Sequence, residues 1–411
     1  MQKTAHVTQP PAEDVQSTPQ GARRGGGALT LTALALGTFA IGTGEFGTNG
    51  IIQLYAADFN ASISLSTYAV TAYALGVVVG SPLITVLAAR LNRKTLLLSL
   101  IALFTIGNVL SATATGVGAL IVARFITGTA QGAYFGAGAV VAVYVYGPGK
   151  GGKAFATVMA GLTIATIFGS PLGTAIGQLF GWQWLYVAVA GIGLLAGVAL
   201  YAWVPKSNDL SGGTISRELG ALTRPLVWAT LAVASLGISS IFAVYTFIGP
   251  YITDAAGASQ AIIPIALAVF GIGMAVGNQI GGRLADRFAL RGLACGYLLA
   301  LGFLVVVALG GTWLPVLFVG LFGVGASAMM AIPSIQVLLT RFAPNSPTLM
   351  GAMNLAALNL ANALGAVGGA IVLSAGFSVL STAWAGFLLA ASGLLFLVLA
   401  VARPQRQHKS T

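Results

Sequence analysis

The sequence predicts an all-α polytopic membrane protein: twelve transmembrane helices in two six-helix halves, with both termini cytoplasmic. Three observations carry that prediction. Of 411 residues, 57% are hydrophobic and only 7% are charged, whereas a soluble domain carries about 25% charged residues. The apolar residues come in runs of about 20, the length that crosses a bilayer as a helix. They do not alternate as the strands of a membrane β-barrel do. The cations fall almost entirely on one side of these runs. The 56 glycines show no triplet period, so they read as close-packed membrane helices and not as collagen.

The first six apolar segments lie at 28–50, 67–88, 96–114, 118–145, 154–178 and 183–204. The second six lie at 226–249, 261–282, 293–310, 313–339, 349–373 and 380–402. Residues 1–27 are polar and lack an apolar core, so they read as a disordered cytoplasmic tail and not a signal peptide. The N-terminal half is 28–204, the linker 205–225, the C-terminal half 226–402 and the second tail 403–411. The linker carries Lys206, Asp209, Arg217, Glu218 and Arg224.

Orientation follows from the cations. With both termini inside, the inner segments hold Lys3, Arg23, Arg24, Arg90, Arg93, Lys94, Lys150, Lys153, Lys206, Arg217, Arg224, Arg283, Arg287, Arg291, Arg341, Arg403, Arg406 and Lys409. That is 18 of the 19; the other, Arg124, lies inside the fourth span. Cytoplasmic loops retain Lys and Arg during insertion. The net charge of +11 is therefore a topology signal, not a nucleic-acid footprint. The single cysteine, Cys295, excludes an intramolecular disulfide, and two histidines at opposite tails offer no metal cluster.

The halves repeat. A shift of about 196 residues brings Phe46 onto Phe242 and Tyr55-Ala-Ala-Asp58 onto Tyr251-Ile-Thr-Asp254. It also brings Gly169 and Gly173 onto Gly365 and Gly369; one residue more brings Arg90 onto Arg287 and Gly128 onto Gly325. Two like halves of the same topology are a transporter architecture.

Glu45 sits well inside the first span, while the other seven acids map to tails, loops or span ends. An ionised carboxylate in hydrocarbon costs several kcal/mol. Glu45 must therefore be protonated, paired or facing water, and it is the candidate proton carrier. The bland reading is a neutral acid bonded to a neighbouring helix. Arg124 shares its depth, and a pair would offset part of both desolvation costs. Arg124 could equally serve as a structural tie between helices.

Asn49, Gln131, Asn354, Asn359 and Asn362 are neutral polar groups within spans; Tyr134, Phe135, Phe242, Tyr245 and Phe247 are aromatics near them. Of these, Asn49, Gln131, Tyr134, Phe242, Tyr245 and Asn359 are the candidate lining of a cavity for a neutral or amphipathic solute. Pro171, between Gly169 and Gly173, should kink the fifth span. It marks either a hinge or a tight interface. Gly273, Gly277 and Gly281 form a small-residue packing ridge. Gly282 is expected to allow close helix approach, and Asp286 to pair with a cation or a helix end.

Two glycine-rich runs do not bind nucleotides. Gly147 to Lys153 has Ala154 where a P-loop needs Ser or Thr, and Gly42 to Gly47 has no βαβ context. An intramembrane protease would need a Ser/His pair, paired aspartates or a metal, and no span offers them. A receptor would need a larger soluble domain.

Twelve spans in two like halves, a basic loop after spans two and eight and a glycine-rich fifth span resemble the major facilitator superfamily. Within it, the runs GTGEFGTNG, GSPLGTAIGQLFGWQWLY and YTFIGPYI are similar to the twelve-helix bacterial drug:proton antiporters of the arabinose-efflux and chloramphenicol-resistance type. The resemblance spans about residues 28–402. It implies proton coupling through Glu45 and Arg124, an antiporter motif at Gly169, Pro171 and Gly173, and a gating loop. The gating residues are Arg90, Arg93 and Lys94 in the first copy and Gly282, Asp286 and Arg287 in the second. In the first copy, Thr85 and Ala89 stand where the family has glycine and aspartate. The implied function is proton-driven efflux of small neutral or lipophilic compounds, drug or sugar, by alternating access. The partners are solute, protons and the lipid bilayer, with no cofactor, nucleotide or nucleic acid. The implied location is a bacterial inner membrane, and the chain is expected to work alone. Uptake of a sugar or similar nutrient by the same fold is the competing reading.

Overall fold

The computed structural model describes residues 24–88, 90–147, 151–207, 210, 220–344 and 347–402. Most of both tails, much of the linker and Lys150 lie outside these residues. The first half comprises α1 (Arg24–Gly50), α2 (Ile52–Asp58), α3 (Ile63–Leu87), α4 (Arg93–Ala112), α5 (Val117–Thr129), α6 (Gln131–Tyr146), α7 (Gly151–Ile164), α8 (Ser170–Phe180) and α9 (Gln183–Trp203). The second comprises α10 (Pro225–Tyr245), α11 (Ile263–Gly310), α12 (Leu314–Phe342), α13 (Pro347–Ser374) and α14 (Ser381–Phe396). An all-helical answer follows from the solvent, because hydrocarbon offers backbone N–H and C=O groups no partner.

Among the described residues, eleven helical stretches are each long and apolar enough to span a membrane. The expected fourth span, 118–145, is instead built from two helices, α5 and α6, meeting at Ala130. The hydroxyls of Thr127 and Thr129 bond back to the carbonyls of Ala123 and Ile126, at 2.6 and 2.7 Å. Such back-bonding competes with the helix ladder and bends it. The fifth span also departs from expectation. Pro171 does not kink an unbroken helix: it lies in the first turn of α8, after a π-helical turn at Ala165–Gly169. The widened turn absorbs the backbone bond that proline cannot make.

The expected loop from Gly282 to Arg291 is a corner. Helix runs on both sides of Phe288, whose φ of −142° and ψ of 56° alone leave the helical region inside α11. Gly282 does not mediate a close approach, since an added Cβ would meet nothing within 4 Å. The close approach belongs to Gly273, Gly277 and Gly281, which press on the backbone carbonyls of Phe322, Ala326 and Met330 in α12.

The first half repeats this contact in register. Gly76 and Gly80 press on Phe125 and Thr129, and Gly128 on the Tyr73 carbonyl, as Gly325 does on Phe270. A shift of 197 residues superposes all of these pairs. Buried apolar side chains gather into two cores, one drawn from residues 33–210 and one from Phe46 and residues 227–397.

Gly277→Ala is expected to destabilise the protein by about 1–3 kcal/mol, because its Cβ meets rigid backbone. Gly282→Ala is expected to be neutral or slightly stabilising. Thermal unfolding of both variants in detergent separates the two positions.

Candidate functional site

Glu45 and Arg124 meet at one turn of α1 but do not close a salt bridge. Arg124, fully buried, donates from Nη2 to the Gly44 carbonyl at 3.0 Å. The Glu45 carboxylate, 5% exposed, accepts from Gln131 Nε2 at 2.9 Å. The Asn362 side chain of the other half stands beside it. The anticipated pair is thus replaced by neutral amides on the acid and a carbonyl under the cation. The reason is local: Arg124 reaches α1 at Gly44, on the adjacent residue's backbone, while the Glu45 side chain points to α6.

Small residues make this possible. A Cβ at Gly44 would come to 3.1 Å from Val189 and 3.3 Å from Phe104, so glycine gives α1 a tight fit against these side chains. Thr48 Oγ1 donates to the same carbonyl at 2.8 Å and lies 3.2 Å from the Tyr186 hydroxyl. The Arg124 guanidinium stacks on Tyr73, 4.2 Å from the ring centre, and stands 5.4 Å from that of Tyr186. Sequence reasoning missed Tyr73 and Tyr186. Tyr73 lies six residues inside the expected second span and could have been noticed there; Tyr186 falls in the first turn of the sixth, where interfacial tyrosines concentrate, so nothing in the sequence set it apart.

The candidate cavity residues divide. Asn49 is one turn above Glu45 and donates to the carbonyls of Glu45 and Phe46 at 3.5 and 3.4 Å. Its nitrogen is thereby committed, and its Oδ1 has no partner. Gln131 touches Glu45 directly, and its Oε1 is also unpartnered. Tyr245 joins the halves: its hydroxyl donates to the Phe46 carbonyl at 3.4 Å and lies 3.2 Å from Ser170 Oγ. Its ring meets Phe46 edge-on at 5.7 Å.

Asn359 bonds back to Leu355 on its own helix, and Phe242 packs under Gly365. Tyr134 is not at this level. Its hydroxyl donates to the Leu34 carbonyl at 3.4 Å, three turns of α1 or about 16 Å below Glu45. All six are buried.

The motif on the fifth span is an interface. Gly169 and Gly173 seat Thr43 and Leu185, and the preceding π-helical turn offers its Thr166 carbonyl to Gly271 of the other half. The segment expected to gate in the first copy is tied to the end of α9 and the start of the linker. Asn92 caps α4 and donates to the Ser207 carbonyl at 2.8 Å, and Lys94 Nζ donates to the Tyr201 carbonyl at 2.7 Å. Arg93 is half-buried; Arg90 and Arg287 are exposed. The Asp286 side chain lies outside the described residues.

The halves are joined at the end the charge pattern assigns to the outside. Gln53 Nε2 donates to Thr253 Oγ1 at 2.8 Å, and Thr253 donates to Asp254 Oδ1 at 2.6 Å. Ser64 donates to the Ala370 carbonyl at 2.6 Å, and Gln178 to the Gln260 carbonyl at 2.7 Å. Beside this seam lies a cavity of about 800 Å³ lined by Ser62, Ser64, Asp254, Thr312 and Phe377 among others.

The Major Facilitator Superfamily sequence profile matches residues 34–366 and 232–411. The chain is 37% identical to the inner membrane transport protein YdhP of Escherichia coli K12, over 91% of this chain and 96% of that protein. It is 32% identical to the putative transporter AraJ of the same strain, over 85% and 89%. It is 31% identical to a chloramphenicol resistance protein of Streptomyces lividans, over 89% and 95%. Its fold matches an inward-facing, unoccupied bacterial homologue of the human lysosomal transporter Spinster, with a TM-score of 0.69 at 18% identity. That match covers 93% of this chain and 96% of the other.

Replacing Gln53 and Thr253 together by alanine is expected to loosen the outer seam. In a Cys295→Ser background, a cysteine introduced at Asn49 should then react severalfold faster with an impermeant maleimide applied from outside. An unchanged rate would remove this pair from the closure.

Proposed function

Because the chain belongs to the Major Facilitator Superfamily and is a membrane transporter of small molecules, we propose that it is a proton-driven exporter of a bacterial inner membrane. One observation carries the reading. A buried carboxyl, Glu45, stands where the two halves meet, held by neutral amides and free of any ion pair. A salt bridge would pin such a group in one charge state. An amide serves both states. Gln131 donates from Nε2 when Glu45 is ionised, and after turning over it accepts from the protonated acid through its free Oε1.

The transport cycle follows from this site and from the outer seam. The seam is closed by neutral hydrogen bonds of modest net strength, each worth about 1 kcal/mol, so it opens without breaking an ion pair. Residues 28–204 and 226–402 rock as two bodies about a central site. Outside, the solute leaves and Glu45 takes a proton; inside, the proton leaves and solute returns to the site. Inward proton flow then drives a small neutral or lipophilic compound, drug or sugar, outward. The names of the chloramphenicol-resistance and YdhP relatives support export and the inner membrane. The solute sits among Asn49, Gln131, Tyr245 and Asn359. Arg124 holds α1 from behind, so a change at Glu45 is felt by α3, α5 and α9 together.

The test is solute-triggered proton movement in proteoliposomes loaded with a pH dye. A panel containing chloramphenicol and several sugars is expected to include one that releases protons from acidified vesicles. Glu45→Gln should abolish that signal and retain exchange of solute down its own gradient. If solute moves with no proton signal and Glu45→Gln changes nothing, the protein is a facilitator and Glu45 is structural.

A further inference from the structure

A guanidinium buried in a bilayer needs a substitute for a counter-ion. Among the described residues, no carboxylate pairs with Arg124, and Glu45 takes its hydrogen bond from Gln131 instead. What faces the cation is aromatic. The Tyr73 ring centre is 4.2 Å and the Tyr186 ring centre 5.4 Å from Cζ, both within the 6 Å or so over which a ring face attracts a cation. One nitrogen of Arg124 donates to the Gly44 carbonyl, and its Nε and Nη1 have no hydrogen-bond partner.

The Tyr73 hydroxyl has no partner either, so that residue serves through its ring. Tyr186 is held in place by its hydroxyl contact with Thr48, which donates to the same Gly44 carbonyl.

The internal repeat supplies a control. A shift of 197 residues carries Tyr73 onto Phe270 and Arg124 onto Leu321. All four are fully or almost fully buried. Bulk at this position is thus used in both halves, whereas an electron-rich ring face has a cation to meet only in the first.

We propose that Tyr73 and Tyr186 are positioning residues for proton coupling. Their ring faces stand in for a carboxylate beside Arg124. They keep the cation one residue from Glu45 yet off its carboxyl, which stays free to exchange its proton. The assignment rests on the proton-coupled reading of Glu45. With the ring faces weakened, the guanidinium is left with a single carbonyl and turns to the nearest anion, Glu45. A direct pair there would remove the acid from the exchange and uncouple transport.

Phenylalanine and its mono-, di- and trifluoro analogues placed at position 73 test this. Fluorination drains the negative potential from the ring face while barely altering its shape. Tyr73→Phe, which keeps the ring and removes an unbonded hydroxyl, is the reference. Two rates are measured in proteoliposomes: solute exchange without a proton gradient, and proton-coupled transport. The ratio of coupled transport to exchange should fall stepwise along the series, by about tenfold at the trifluoro ring.

A ratio that stays flat along the series overturns the proposal. So does a parallel loss of both rates with a lower melting temperature, which would assign Tyr73 to packing alone. A wild-type protein that exchanges solute and moves no protons sinks the coupled reading, and this proposal with it.

Discussion

The placement of one buried cation organises the first half of this protein. Arg124 is sealed from solvent, and among the described residues no acid forms an ion pair with it. Its charge is spread over two ring faces and one main-chain carbonyl. That carbonyl is reached at 3.0 Å, and its residue, Gly44, is packed closely against Phe104 and Val189. The rings come from α3 and α9, the cation from α5 and the carbonyl from α1. Four helices are thereby tied at the turn that carries Glu45. Moving any of them disturbs the partners of the others, which is how a local change of charge can become a movement of helices.

Helix contact elsewhere is made by shape. In lipid there is little hydrophobic drive between helices, and association depends on close packing. The glycine ridges of α3 and α11 supply it, and they do so at equivalent positions in the two halves. Each half is therefore rigid along these ridges. The seam between halves is of another kind: hydroxyl, amide and carbonyl groups at the outer end, with no ion pair among the described residues. Strong packing within halves and exchangeable hydrogen bonds between them is the division of strength that the proposed alternating access requires.

The two halves are alike in scaffold and unlike in chemistry. Asp58 and Asp254 occupy equivalent positions, yet Asp58 accepts from Trp182 within its own half at 2.8 Å. Asp254 instead accepts from Thr253, which bonds across the seam to Gln53. Arg124 has Leu321 for its counterpart, and Glu45 corresponds to Ile241 at a shift of 196. The two charged residues deep within the spans, Glu45 and Arg124, therefore both belong to the first half. The second contributes amides and aromatics, with Asn362 and Tyr245 meeting α1 from across the interface.

The all-helical membrane fold, the internal repeat, the packing role of Gly273, Gly277 and Gly281 and the singling out of Glu45 and Arg124 were legible in the sequence. Each is a one-dimensional quantity: a run length, a fixed offset, a spacing, or a charge in an apolar run. What the tertiary structure decided was partnership. Glu45 and Arg124 share a depth, which suggested a pair, but which way each side chain points depends on three neighbouring helices at once. Gln131 and Asn362 therefore hold the acid, and Tyr73, Tyr186 and Gly44 hold the cation. Tyr134 had the right residue type, yet it lies three turns of α1 away. The broken fourth span, the π-helical turn before Pro171 and the corner at Phe288 are likewise invisible to hydropathy. Hydropathy measures how apolar a segment is, whereas these features record how a helix bends to meet its neighbours.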